Sequence, residues 1–216
     1  MSSHPLLLGH RGARASAHVA ENTVASFDIA LQHGCDGFEF DVRLTGCGRA
    51  VVCHDPSVGG IAVAKAQSHQ LRELPILQDV LARYANRAFL NIELKVPGLG
   101  SQLLTALKEH PPERGYVVSS FLPDVLTDLR SRSGEVTLGL ICEERKQLKR
   151  WGELPVDYVI PHQSLTTGEL VKELVDAGKQ VIVWTVNEKP SMLRLAEWGV
   201  NGLISDDTEL LVQTFG

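Results

Sequence analysis

Four short polar motifs stand near the C-terminal ends of apolar runs: His10-Arg11, Glu39-x-Asp41, His54-Asp55 and Glu93-x-Lys95. Buried charges are costly without a metal, an opposite charge or a ligand, so their recurrence at such positions points to a catalytic site. Glu39 and Asp41 are two residues apart and share one face of a strand, and Glu93 and Lys95 repeat that geometry. The three carboxylates make a set of hard oxygen ligands that suits Mg²⁺ or Ca²⁺ better than zinc. Arg11 and Lys95 place two positive charges beside them, a good match for a phosphate. With a divalent cation the five side chains carry a formal charge of +1, the complement of a phosphodiester. His10 and His54 are imidazoles able to serve as general acid and general base on the two sides of a phosphorus centre.

The elements that must position these residues follow a regular rhythm. Apolar runs at 6–8, 37–44, 50–53, 89–94, 116–119, 136–142, 158–160, 181–186 and 202–204 predict nine strands. Amphipathic stretches at 22–32, 101–109, 167–177 and 191–198 fall between them, the pattern of βα units and a parallel sheet. Gly34, Gly178 and Gly199 lie where such helices should stop. The run at 50–53 follows its predecessor after only a few residues around Gly46-Cys47-Gly48, too few for a parallel crossover, so it reads as the return arm of a hairpin. Eight βα units remain, the number that closes an α/β (β/α)8 TIM barrel. Residues 56–70 read as an irregular connection. The C-terminal strand ends of a barrel open into one mouth, so the polar motifs are predicted to converge there.

The remaining composition sets limits. A chain of 216 residues with 44% hydrophobic content is expected to form a single domain over 1–216. A net charge of −5 and a pI near 5.9 argue against general affinity for nucleic acid or anionic membrane. Cys35, Cys47, Cys53 and Cys142 have neither C-x-x-C spacing nor the density of a disulfide scaffold, so reduced thiols in a cytoplasmic protein are expected. The Met-Ser-Ser-His-Pro start has no basic and apolar leader pattern, and no apolar run approaches the roughly 20 residues of a membrane span. Oligomeric state is not encoded in any of these features.

Six motifs carry a resemblance: His10-Arg11-Gly12, Glu21-Asn22-Thr23, Glu39-Phe40-Asp41-Val42, Val51-Val52-x-His54-Asp55, Glu93-Leu94-Lys95 and Trp184-Thr185-Val186-Asn187. In that order, from His10 to about Asp206, the chain resembles the glycerophosphodiester phosphodiesterase family. The resemblance implies a barrel enzyme that uses a divalent cation to cleave a small-molecule glycerophosphodiester to glycerol 3-phosphate and an alcohol. It implies that Glu39, Asp41 and Glu93 hold the metal, that Arg11 and Lys95 contact phosphate, and that His10 and His54 exchange protons. A lysophospholipase D type reaction, and a phosphodiester-binding barrel without catalysis, are the two other readings.

Several positions depart from the family pattern. Cys47 stands where an aspartate is frequent, Ala20 replaces the usual proline, and Ser205-Asp206-Asp207 lacks the common Thr-Asp-x-Pro. The segment after His54-Asp55 is shorter than the family's usual capping insertion, which predicts a short cap and a more open pocket. Trp184 reads either as barrel core or as an apolar wall for glycerol. Glu21 reads as an accessory residue that orients Arg11, with Asn22 capping the first helix. Ser119, Ser120, His162, Gln163 and Asp206 fall at strand ends without an assigned role, and His4, His18, His33, His69 and His110 read as surface residues.

Overall fold

The computed structural model describes residues 4–67 and 69–216, so the reading of the start at Met1 to Ser3 lies outside the described residues. Strand β1 (Leu6–Gly9) is followed by helix α1 (Val24–His33) and strand β2 (Gly37–Leu44). A short arm β3 (Ala50–Val52) returns antiparallel along β2, with Val42 opposite Val52. A small hairpin follows, β4 (Ser57–Val58) and β5 (Ile61–Ala62), and then α2 (Leu77–Tyr84) and β6 (Phe89–Leu94). Five further βα steps complete the chain. They are α3 (Gly100–Glu109) into β7 (Tyr116–Ser120), α4 (Pro123–Arg132) into β8 (Leu138–Cys142), and the short α5 (Arg145–Leu148) into β9 (Tyr158–Pro161). Then come α6 (Gly168–Asp176) into β10 (Gln180–Val183), α7 (Lys189–Glu197) into β11 (Gly202–Ser205), and the closing α8 (Thr208–Phe215).

Strand β1 pairs in parallel with both β11 and β2, so β1, β2, β6, β7, β8, β9, β10 and β11 close into a parallel barrel, with β3 appended outside. This is the predicted (β/α)8 TIM barrel with its hairpin extension. All nine predicted strands are present. The tenth and eleventh, β4 and β5, lie where an irregular connection was expected, and the reason is local: Val58 and Ile61 pack with Val51, Cys53, Val63 and Leu71 in a small apolar cluster under the extension. The run at 181–186 ends as a strand at Val183, where Trp184 forms only an isolated bridge with His162.

Period-two alternation sorts each strand's side chains between two cores. On β2, Phe38, Phe40 and Val42 face the helices, and Phe38 stacks on Phe27 of α1 at 4.2 Å between ring centroids. On β6, Leu90, Ile92 and Leu94 do the same. The barrel interior is a separate cluster of Leu8, Phe89, Val117, Ile141, Tyr158, Ile160, Ile182 and Ile204. Glu39, Asp41, Asn91 and Glu93 therefore occupy inward positions on two adjacent strands, in a register that sets Glu39 beside Asn91 and Asp41 beside Glu93.

Helix ends follow the sequence signals. Gly34 caps α1 in the left-handed region, and Gly178 and Gly199 adopt it just past α6 and α7. Asn22 does not cap α1. Thr23 does, its Oγ1 accepting from the Ser26 N–H at 3.2 Å, and the Asn22 side chain turns into the barrel mouth. Among the described residues, no helix is long and apolar enough to cross a membrane.

At Gly37 the β2 backbone passes so close to β6 that a Cβ would run into the Phe89 carbonyl oxygen. Gly37→Ala should destabilise the fold by about 3 kcal/mol, the upper end of ordinary overpacking costs, as read from the midpoint of urea unfolding.

Candidate active site

Each mouth residue is delivered by a strand end or by the loop that follows it. His10 follows β1, its N–H bonded to the Ser205 carbonyl at 2.8 Å. Arg11 turns into the left-handed region at φ 52°, an uncommon state for a residue with a side chain, which aims its N–H at Glu39 Oε2, 3.0 Å away. Asn22 adopts the same conformation at φ 58° and grips Asp41 twice: its Nδ2 donates to Asp41 Oδ2 at 2.7 Å, and its Oδ1 accepts from the Asp41 N–H at 3.2 Å. His54 comes from the β3 extension rather than from a barrel strand. Its carbonyl accepts from Arg43 Nε at 2.6 Å, and its Nδ1 lies 2.8 Å from Asp55 Oδ1.

At the centre, Glu39, Asp41 and Glu93 are buried with one carboxylate oxygen from each within 4.8 Å of the others. Lys95 Nζ lies 2.6 Å from Glu93 Oε1 and 3.1 Å from Asp41 Oδ1, and Arg11 Nε lies 3.3 Å from Asp41 Oδ2. His10 Nε2 is 3.9 Å from Glu39 Oε2. Glu21 sits on the outer side of Arg11, its Oε1 accepting from Arg11 Nη1 at 2.7 Å. These residues, apart from Asp41 and Glu21, line one cavity of about 510 Å³ together with His54. Its opposite wall is apolar. Trp184 meets Phe121 edge to face at 5.5 Å, its Nε1 donates to the Ile160 carbonyl at 3.1 Å, and Ile141, Ile160 and Ile204 continue the surface. The predicted site residues are thus gathered in one mouth, with Glu21 directly behind it.

Known proteins share this arrangement of strands and helices over the full barrel. A profile of the glycerophosphoryl diester phosphodiesterase family matches residues 10–89 and 63–210. A glycerophosphodiester phosphodiesterase of Caldanaerobacter subterraneus is 31% identical, with 96% of each chain covered. The chain belongs to the glycerophosphoryl diester phosphodiesterase family. Among solved structures, a phosphodiesterase of Oleispira antarctica in complex with the product sn-glycerol-3-phosphate superposes with a TM-score of 0.85 at 26% identity, covering 98% of this chain and 96% of that one. A second structure, from Silicibacter pomeroyi, has a TM-score of 0.88 at 22% identity over 100% and 94% of the two chains, and attests the fold.

The electrostatics of this family member's site are set by burial. Desolvation opposes ionisation of Asp41, but Lys95 and Arg11 outweigh it and hold the carboxyl below its usual range. Glu39 goes the other way, raised well above its ordinary value by burial and by the neighbouring Asp41 and Glu93. Burial and Asp41 push Glu93 up to about 7. Glu39 Oε1 and Asp41 Oδ1 are buried and accept no hydrogen bond. Orphaned carboxylate oxygens of this kind, grouped within 4.8 Å, fit a hard divalent cation.

Sequence reasoning assigned no role to two of the site's polar groups. Asn91, on the inward face of β6, lines the cavity and bonds Ser119; its period-two spacing before Glu93 and Lys95 was the available signal. Asp206 lies 2.7 Å from His10 Nδ1. Its proximity depends on β11 closing against β1, a pairing visible only once the barrel is complete.

The sign of a pH effect follows from Glu93. Below its ordinary value of 4.5 the folded and unfolded chains both hold the proton. Between 4.5 and about 7 the unfolded chain has released it and the folded chain keeps it, so stability falls across that window and levels off above it. In EDTA, the thermal midpoint should therefore drop between about pH 4.5 and about pH 7, and Glu93→Gln should remove part of the drop.

Proposed function

We propose that this chain hydrolyses glycerophosphodiesters to sn-glycerol 3-phosphate and an alcohol, in a divalent-cation-dependent reaction with His10 and His54 exchanging protons. The observation that carries this reading is the single cavity in which the carboxylate triad, two cationic side chains and two imidazoles meet opposite an apolar wall. The product held by the related Oleispira protein supports the substrate class.

Glu39, Asp41 and Glu93 would hold the cation, Mg²⁺ or Ca²⁺, which would supply Lewis-acid stabilisation of the phosphate charge. Arg11 and Lys95 bind the nonbridging phosphate oxygens, and both enter the reaction already oriented, Arg11 by Glu21 and Lys95 by Glu93. Trp184 supplies an apolar face for the glycerol carbons, braced by its own bond to the Ile160 carbonyl. One histidine takes a proton from the attacking hydroxyl and the other gives one to the departing alkoxide. The attacking hydroxyl belongs to water or to the neighbouring glycerol carbon. The second route passes through a cyclic phosphate that phosphorus NMR would detect. A cytoplasmic setting belongs to the same reading, because Cys35, Cys53 and Cys142 stand as buried thiols.

Purified protein should release glycerol 3-phosphate from glycerophosphocholine, lose the activity in EDTA and regain it with Mg²⁺ or Ca²⁺, while Glu39→Ala stays inactive under every condition. Absence of release by folded protein with each cation would overturn the proposal, and faster turnover of lysophosphatidylcholine would reassign the substrate. His54→Ala should lower kcat by roughly two to four orders of magnitude, as expected for a lost general acid or base.

A further inference from the structure

His10 and His54 each have a carboxylate at Nδ1, but the two carboxylates are held very differently. Asp55 is largely exposed, at 72% of its side-chain surface, and its carboxylate pairs with His54. Asp206 is 19% exposed, and three side-chain donors converge on it. His10 Nδ1 lies 2.7 Å from Oδ1, Arg14 Nη1 donates to the same oxygen at 3.1 Å, and Asn187 Nδ2 donates to Oδ2 at 2.7 Å. The backbone of the segment is held too, with the Asp206 N–H donating to Asn187 Oδ1 at 2.9 Å. Burial disfavours the charge on Asp206, yet His10 and Asn187 hold its carboxyl well below the usual range. An ionised carboxylate can only accept, so the hydrogen between these two groups sits on His10 Nδ1. The other ring nitrogen, Nε2, is left on the side of Glu39 and the cavity.

Arg14 extends this connection. Its Nε donates to Glu21 Oε2 at 2.7 Å, and the other oxygen of Glu21 accepts from Arg11. An unbroken series of charge-assisted bonds therefore runs from His10 through Asp206, Arg14 and Glu21 to Arg11. Arg14 lines a separate surface cleft with Glu21, Asn187 and Asp206, not the cavity that holds His10 and Arg11. Its side chain is 41% exposed, where ion pairs add little to stability.

We propose that Asp206 is a positioning residue that fixes the tautomer and orientation of His10, and that Arg14 ties Asp206 to Glu21 so that His10 and Arg11 are held as one unit. The proposal rests on the reading of His10 as a proton-transfer group. Rotation of the imidazole about its side chain would break the bond to Asp206 before it moved Nε2 away from the phosphorus centre. Glu21, itself bonded to Arg14, gives the Arg11 guanidinium a second anchor beside Asp41. Asn187 donates to the second carboxylate oxygen, so both oxygens of Asp206 are tied.

The test measures kcat, KM, thermal midpoint and the protonation site of His10 by nitrogen-15 NMR in Asp206→Ala, Asp206→Asn, Arg14→Gln, the Asp206→Ala/Arg14→Gln double variant and His10→Ala. Expected for either Asp206 variant is a fall in kcat of roughly 10²-fold with KM changed by less than about threefold, and loss of the exclusive proton on His10 Nδ1. Arg14→Gln should lower kcat by roughly 5- to 10-fold without moving the thermal midpoint, and the double variant should lose less than the product of the two single losses. Wild-type kcat or an unchanged His10 tautomer in a folded Asp206 variant overturns the assignment of Asp206, and fully multiplicative losses overturn that of Arg14. If Asp206→Ala does not fold, Asp206→Asn decides. Retained activity in His10→Ala would instead overturn the proton-transfer reading, while the NMR result would still judge the Asp206–His10 tie.

Discussion

Three carboxylates with oxygens within 4.8 Å of one another in a buried mouth are the constraint from which the rest of this structure follows. Like charges so close cannot all persist in a low-dielectric environment without compensation. Arg11 and Lys95 supply part of it, and both lean on Asp41, the carboxylate that remains ionised. The deficit falls on Glu39 and Glu93, which are pushed toward their neutral forms. With all three ionised beside two cations the cluster is one positive charge short, and a divalent ion would overshoot to the +1 that a phosphodiester complements. Glu39 Oε1 accepts no hydrogen bond, which suits a cation ligand, whereas Asp41 Oδ1 faces the Lys95 ammonium at 3.1 Å.

Holding such a cluster demands rigidity from the backbone beneath it. The β2–β6 pair supplies most of it, with six consecutive registered residues from Gly37 beside Phe89 to Val42 beside Leu94. Its outward faces are anchored by Phe38, Phe40, Leu90 and Ile92, all fully buried. Two residues in the left-handed region, Arg11 and Asn22, then bring donors onto Glu39 and Asp41. Such conformations persist only where the surroundings over-determine them. Here Gly12 packs so tightly against Ser26 that a side chain would not fit, and Ser26 Oγ donates to the Arg11 carbonyl at 3.0 Å, so the turn has few alternatives.

How far this site can be read from sequence depends on whether its residues lie on one strand or on strands that meet only on closure. Glu39 with Asp41, and Glu93 with Lys95, announce themselves because the strand period of two puts each pair on one face whatever the fold. The return arm ending before His54 is legible from the shortness of the Gly46-Cys47-Gly48 turn. Asn22 is not. Its neighbour Thr23 is an equally good helix cap, and which of the two caps depends on a left-handed turn that the sequence does not mark. The β4–β5 hairpin is obscured for a different reason: two residues per strand are too few to show a period, and only packing on Val51 and Cys53 selects them. Asp206 is hidden by its separation of 196 residues from His10.

The distribution of charge around the mouth shows how one barrel can be both stable and strained. The carboxylate triad stands on β2 and β6, with His10 and Arg11 just past the adjoining β1, while β7 to β11 fill the interior with Val117, Ile141, Tyr158, Ile160, Ile182 and Ile204. Concentrating the polar groups on adjacent strands lets the same two cations serve three carboxylates. It also leaves more than half the ring free to pack as ordinary apolar core, which stabilises by roughly 25 cal/mol for each Å² removed from water. Spread evenly, the same charges would each need a private counter-ion and would break the interior cluster at several points. The segregation also gives the cavity two unlike walls, one that attracts an anion and one that receives carbon. That division is what a phosphodiester with a small organic arm requires of its binding site.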